Sequence, residues 1–118
     1  MRSILLVNDD RPLLELLAIR CQEVGYDADI AIGGKEALEL LEKKTYDFVL
    51  VDIRMPEMNG VELVQLMKQA NIPSQIGAMT GYTESKEAYE LYKLGVTQII
   101  PKPIDLEVFS DLIAKFAN

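Results

Sequence analysis

The stretch Asp47-Phe48-Val49-Leu50-Val51-Asp52-Ile53-Arg54-Met55-Pro56-Glu57-Met58-Asn59-Gly60 decides how this chain folds. Its first half is an unbroken apolar run closed by a carboxylate, the pattern of a strand buried on both faces and therefore central in a parallel sheet. Its second half turns back. Pro56 fixes φ and Gly60 permits a tight turn, so the loop returns beside Asp52 and aims its backbone at that carboxylate. Val61, Leu63, Val64, Leu66 and Met67 then follow at helical spacing, in a helix that ends before Asn71-Ile72-Pro73.

Working outward, the same alternation repeats. Residues 2–8 read as the first strand, and Leu13, Leu14, Leu16, Leu17, Ile19 and Arg20 as a helix that Gly25 caps. Residues 27–31 form a shorter, more polar strand near a sheet edge, and residues 35–44 a second helix. Residues 75–79 make the fourth strand, with Thr83 as N-cap of a helix through Leu94 that Gly95 terminates. Residues 98–101 make the fifth strand. Asp105 caps a last helix carrying Leu106, Val108, Phe109, Leu112, Ile113 and Phe116. Strands that alternate with helices imply right-handed crossovers and helices on both faces of the sheet. The fold class is α/β: a single doubly wound, five-stranded parallel sheet of order 2-1-3-4-5 with five helices, flavodoxin-like in architecture.

With 118 residues, 49% hydrophobic and 26% charged, the chain is expected to be one domain spanning residues 1–118. A net charge of −7 speaks against direct nucleic-acid binding, which draws its affinity from Lys and Arg on phosphates. No apolar stretch approaches the ~20 residues that span a bilayer. Met1-Arg2-Ser3 runs straight into a strand without a signal-like apolar region, so a cytoplasmic location away from the membrane is expected. The single cysteine, Cys21, and the absence of histidine leave neither an intrachain disulfide, nor a zinc-type cluster, nor Cys/His catalysis. Cys21 reads as helix filler.

Asp9, Asp52, Thr80 and Lys102 each stand just past an apolar run, and the strand ends of an open parallel sheet meet in one crevice. Asn8-Asp9-Asp10 brings oxygen donors to the end of strand one, beside Asp52. Mg2+ takes one or two carboxylates plus phosphate oxygens, and a cation between Asp9 and Asp52 would relieve their repulsion. Asp52 is a candidate nucleophile by aspartyl-phosphate chemistry, Lys102 supplies a point charge, and Thr80 a hydroxyl. Taken singly, each residue has a plainer use: Asp9-Asp10 as helix caps, Thr80 in a turn, Lys102 as a solvated lysine. Jointly they make a metal and phosphoryl site.

In these motifs the chain resembles the response-regulator receiver domain, of the chemotaxis-regulator type, the phosphoacceptor half of bacterial two-component signalling. The resemblance runs through Ile4 to Asp10, Tyr46 to Gly60, Met79-Thr80-Gly81 and Pro101-Lys102-Pro103. It implies phosphorylation of Asp52 by a sensor histidine kinase or phosphotransfer protein. It also implies Mg2+ held by Asp9, Asp52 and the Arg54 carbonyl, with Thr80 and Lys102 on the phosphoryl group and a cis Lys102-Pro103 bond. The output would leave through helix four, strand five and helix five, within residues 84–113, to a downstream domain or protein, with dimerisation on activation left open. Such a domain catalyses only its own phosphorylation and dephosphorylation.

Three departures stand out. Asn8 replaces a usual acid and removes one charge from the metal site, for which Asp10 would compensate in part. Ile99 occupies the place of a switch aromatic, with Tyr82 as a substitute. Arg54 and Tyr82 are bulky at positions that flank the site, which suggests a long-lived acyl phosphate. Asn8 and Ile99 favour the competing reading, a phosphorylation-independent binding module. An enzyme of the flavodoxin or phosphatase kind is disfavoured, because Gly-rich phosphate loops are absent and a phosphatase would want an acid at Arg54.

Overall fold

Every residue of β1, Ser3–Asn8, and of β3, Phe48–Asp52, is buried, which is why their apolar runs show no alternation. The computed structural model of the protein describes residues 2–81, 85–96 and 98–116, the side chain of Phe116 excepted. Tyr82, Thr83 and Glu84 of the sequence reading lie outside the described residues.

The other elements are α1 (Arg11–Val24), β2 (Asp27–Ile32), α2 (Gly34–Lys43), α3 (Gly60–Gln69), β4 (Gln75–Thr80), α4 (Lys86–Lys93), β5 (Gln98–Pro101) and α5 (Leu106–Phe116). The five strands are parallel in the order β2-β1-β3-β4-β5. Strand alternation divides the core. Leu5, Val7, Val49 and Val51 pack with Ala37 of α2, Leu63 and Met67 of α3, and Leu91 of α4. Ile4, Leu6, Phe48 and Leu50 pack with Leu14, Leu17 and Cys21 of α1 and with Phe109 and Ile113 of α5. Truncating a fully buried leucine such as Leu17 to alanine costs about 2–5 kcal/mol.

Local chemistry sets the helix ends. The Leu13 N–H donates to Asp10 Oδ1 at 3.1 Å, and Gly25 closes α1 at φ 101°. Asn59 and Glu62 form a reciprocal capping box that starts α3 directly after the β3 loop. Asp105 Oδ1 accepts from the N–H groups of Glu107 and Val108, as its position before α5 suggests. At α4 the cap is Ser85 rather than Thr83: Ser85 Oγ accepts from the Ala88 N–H at 3.1 Å, and the helix begins at Lys86.

Candidate functional site

The strand register carries four polar groups to one end of the sheet. Val7 stands opposite Val51, Asp52 opposite Met79, and Thr80 opposite Pro101, so β1, β3, β4 and β5 finish at a common level. Asp52 is 1% exposed and Thr80 2%, both too deep for surface residues. Lys102 follows β5 directly. Its N–H donates to the Thr80 carbonyl at 2.7 Å, and its Nζ reaches Asp52 Oδ1 at 2.6 Å. The Lys102-Pro103 peptide is cis. Asp9 stands just past β1, exposed, where its charge is felt by Asp52.

Asp52 sits under opposing influences. Burial drives its carboxyl above the ordinary carboxylate range; Lys102 and the Arg54 backbone pull it down, and Asp9 pushes it up again. The outcome is a raised value. Lys102 Nζ, 2.6 Å from Oδ1, and the Arg54 N–H both donate to the Asp52 carboxylate. The ammonium acts through hydrogen bonding and charge together, and the remaining lone pairs of the carboxylate are available to a further ligand.

That ligand fits a divalent cation. Two carboxylates, Asp9 and Asp52, offer hard oxygens of the kind Mg2+ takes while it keeps waters and phosphate oxygens, and the Arg54 main chain meets Asp52 with its N–H, a donor. Among the described residues no cluster of three or more acidic, cysteine or histidine side chains forms a cage of its own. Asp10, the next acid along, accepts from the Leu13 N–H through Oδ1 at the start of α1.

The loop after β3 returns as expected, through a different device. The Gly60 N–H donates to the Ile53 carbonyl at 2.8 Å, and a Cβ on Gly60 would lie 2.6 Å from the Asp52 carbonyl oxygen. Close packing, not an unusual φ, demands glycine there. Glu57 in the same loop adopts a left-handed φ of 68°. The Arg54 side chain, 64% exposed, turns toward α4, with its Nη2 3.8 Å from Glu87 Oε1. Ile99 of β5 packs on the core beneath α4. The Arg54–Glu87 pair carried no local signal in the sequence, since α4 is far along the chain.

The chain belongs to the response regulator receiver domain family, whose model matches residues 4–114. Members of this family are in general non-enzymatic switches of two-component systems. Among curated proteins the chain is 33% identical to the response regulator protein PilR of Pseudomonas aeruginosa, over 93% of this chain and 25% of PilR, so it spans only a quarter of that relative. Among solved structures it is similar to the chemotaxis protein CheY4 of Vibrio cholerae, with TM-score 0.88 and 26% identity over 98% of both chains. The response regulator TrrA of Thermotoga maritima, solved in complex with Mg2+ and BeF, matches with TM-score 0.85 and 28% identity over 98% of this chain and 99% of that one. Among the described residues no helix is long and apolar enough to cross a membrane.

Proposed function

We propose that this receiver domain is a phosphoacceptor switch in which Asp52 takes a phosphoryl group from the phosphohistidine of a sensor kinase or phosphotransfer protein. One Asp52 oxygen bonds to phosphorus while the P–N bond breaks and its electron pair stays on the histidine nitrogen. The product is a mixed anhydride. Lys102 neutralises charge on the transferring group and Thr80 donates its hydroxyl to it; Asp9, Asp52 and the Arg54 carbonyl hold Mg2+. The metal, when bound, supplies charge neutralisation to the phosphoryl oxygens.

The observation that carries the reading is the Lys102 ammonium at 2.6 Å from a carboxylate that is 1% exposed. The Mg2+ and BeF complex of TrrA lends support, because that chain matches this one end to end. An added charge of about −1.5 to −2 then biases α4, β5 and α5 between two arrangements. That face signals to an output domain or protein in the cytoplasm, without direct nucleic-acid contact, and is where two activated copies would pair.

Incubation with acetyl phosphate and Mg2+ tests the proposal. Intact mass should rise by one phosphate in the wild type, remain unchanged with EDTA, and remain unchanged in Asp52→Asn. No gain under these conditions would favour the phosphorylation-independent module that Asn8 and Ile99 suggest.

A further inference from the structure

Asn8 ends β1 with only 1% of its surface exposed. Its Oδ1 accepts from the Asp9 N–H at 2.7 Å and the Asp10 N–H at 3.1 Å. Those two donors fix which end of the amide is oxygen, because a flipped amide would set N–H against N–H. The amino end, Nδ2, is therefore a committed donor, and among the described residues it has no acceptor. An unsatisfied buried donor costs about 1–3 kcal/mol, so an acceptor from outside the protein, a water or a bound group, belongs there.

The register says where that acceptor would stand. Val7 faces Val51, so Asn8 and Asp52 are the next pair along two adjacent strands, roughly 4.8 Å apart in the sheet. Leu6 and Leu50, two residues earlier, share one core cluster; the strand period of two puts the Asn8 and Asp52 side chains on that same face. Asn8 ends in a donor nitrogen without an acceptor, and Asp52 in two buried acceptor oxygens, one of them met by Lys102. A cation satisfies only the oxygens, because an amide N–H turns its positive end toward it. An anionic group carried by Asp52 satisfies the nitrogen.

We infer that Asn8, through Nδ2, is a hydrogen-bond donor to the phosphoryl group on Asp52, so that this position serves the phosphorylated state rather than the metal. The inference rests on the phosphoacceptor reading above and adds a residue to it. A carboxylate in the same place would attract Mg2+ in the resting protein and then repel a phosphoryl group of about −1.5 to −2 charge. The amide reverses both effects. It holds the metal less strongly before transfer and grips the phosphoryl oxygens after it.

Calorimetry with two separate ligands tests this: Mg2+ alone, then beryllofluoride at saturating Mg2+, as a stable mimic of the phosphoryl group. Asn8→Ala should weaken beryllofluoride about tenfold, the equivalent of one hydrogen bond to a charged group, and leave Mg2+ within about twofold. Asn8→Asp, which keeps the shape and the acceptor for the Asp9 and Asp10 N–H groups, should tighten Mg2+ and weaken beryllofluoride; it carries the test if the alanine variant does not fold. Unchanged beryllofluoride affinity in Asn8→Ala, or gains for both ligands in Asn8→Asp, would overturn the inference alone. Failure of the wild type to bind beryllofluoride would overturn the phosphoacceptor reading, and the inference with it.

Discussion

Lys102 reaches Asp52 across an intervening strand: its Nζ stands 2.6 Å from Oδ1 although β4 lies between β3 and β5. Two strand spacings are roughly 9–10 Å, so the side chain must come in over the end of the sheet. The Lys102 N–H bonded to the Thr80 carbonyl fixes its point of departure. Removal of the ammonium leaves a buried carboxylate with burial and Asp9 acting in one direction. Lys102→Ala should therefore destabilise the fold by about 1–3 kcal/mol near neutral pH. The sign follows from linkage: a carboxyl whose folded value is raised binds its proton more tightly folded than unfolded, so stability falls as pH rises through that interval. The deficit of the variant should be largest above the raised folded value and fade as pH drops below it. Urea titrations of both proteins across pH check this.

Asp52 itself should weaken the resting protein. Asp52→Asn removes the charge that burial penalises while keeping shape, and Lys102, 32% exposed, can return to water. The variant is expected to melt a few degrees above the wild type in metal-free buffer. Mg2+ should raise the melting temperature of the wild type by mass action and leave the variant nearly unchanged. Differential scanning calorimetry with and without Mg2+ makes the comparison.

Gly60 is a packing position beside the site. Gly60→Ala places a Cβ 2.6 Å from the Asp52 carbonyl oxygen and 2.8 Å from Ile53 Cα, both backbone atoms that cannot rotate away. A loss of about 1–3 kcal/mol is expected by overpacking, with slower acetyl-phosphate labelling as the loop is pushed off Asp52. A denaturant midpoint equal to that of the wild type would show that the loop absorbs the methyl.

The lifetime of the acyl phosphate tests the screening role that the sequence suggests for Arg54 and Tyr82. Arg54 lies two residues past Asp52 and its guanidinium is drawn toward Glu87, while Tyr82 lies outside the described residues. An Arg54→Ala, Tyr82→Ala double variant should lose its phosphoryl group several-fold faster if these side chains screen the attacking water. Equal decay, followed by intact mass over time, would show that they do not.

Cys21 reports on the core between α1 and α5. It is fully buried, and burial pushes its thiol up to about 12. The folded thiol stays protonated where the unfolded one ionises, so stability contributed by Cys21 is lost as pH rises between about 8.5 and 12. Cys21→Ala should have a shallower alkaline decline than the wild type. Maleimide labelling of the native protein should proceed at the rate of unfolding.

What the sequence disclosed follows from how local each cause is. The runs at β1 and β3 were legible because burial on both faces leaves no polar residue to blur them, and Gly25 and Asp105 because caps act within a few residues. The cap of α4 was not: Thr83 and Ser85 offer the same hydroxyl two positions apart, and only the helix path selects Ser85. Asp9, Asp52, Thr80 and Lys102 could be assembled from strand order alone, yet the state of the site could not. That Asp10 is engaged as a cap, that Arg54 leans on Glu87, and that Asn8 keeps an unsatisfied amino group all depend on orientations fixed by neighbours.

The most direct trial of the central claim is chemical trapping of the modified residue. After treatment with acetyl phosphate and Mg2+, borohydride reduces an aspartyl phosphate to homoserine, and peptide mass spectrometry locates it. Homoserine is expected at position 52 and at no other aspartate; reduction at Asp9 or Asp10 instead, or at none, would contradict phosphorylation of Asp52.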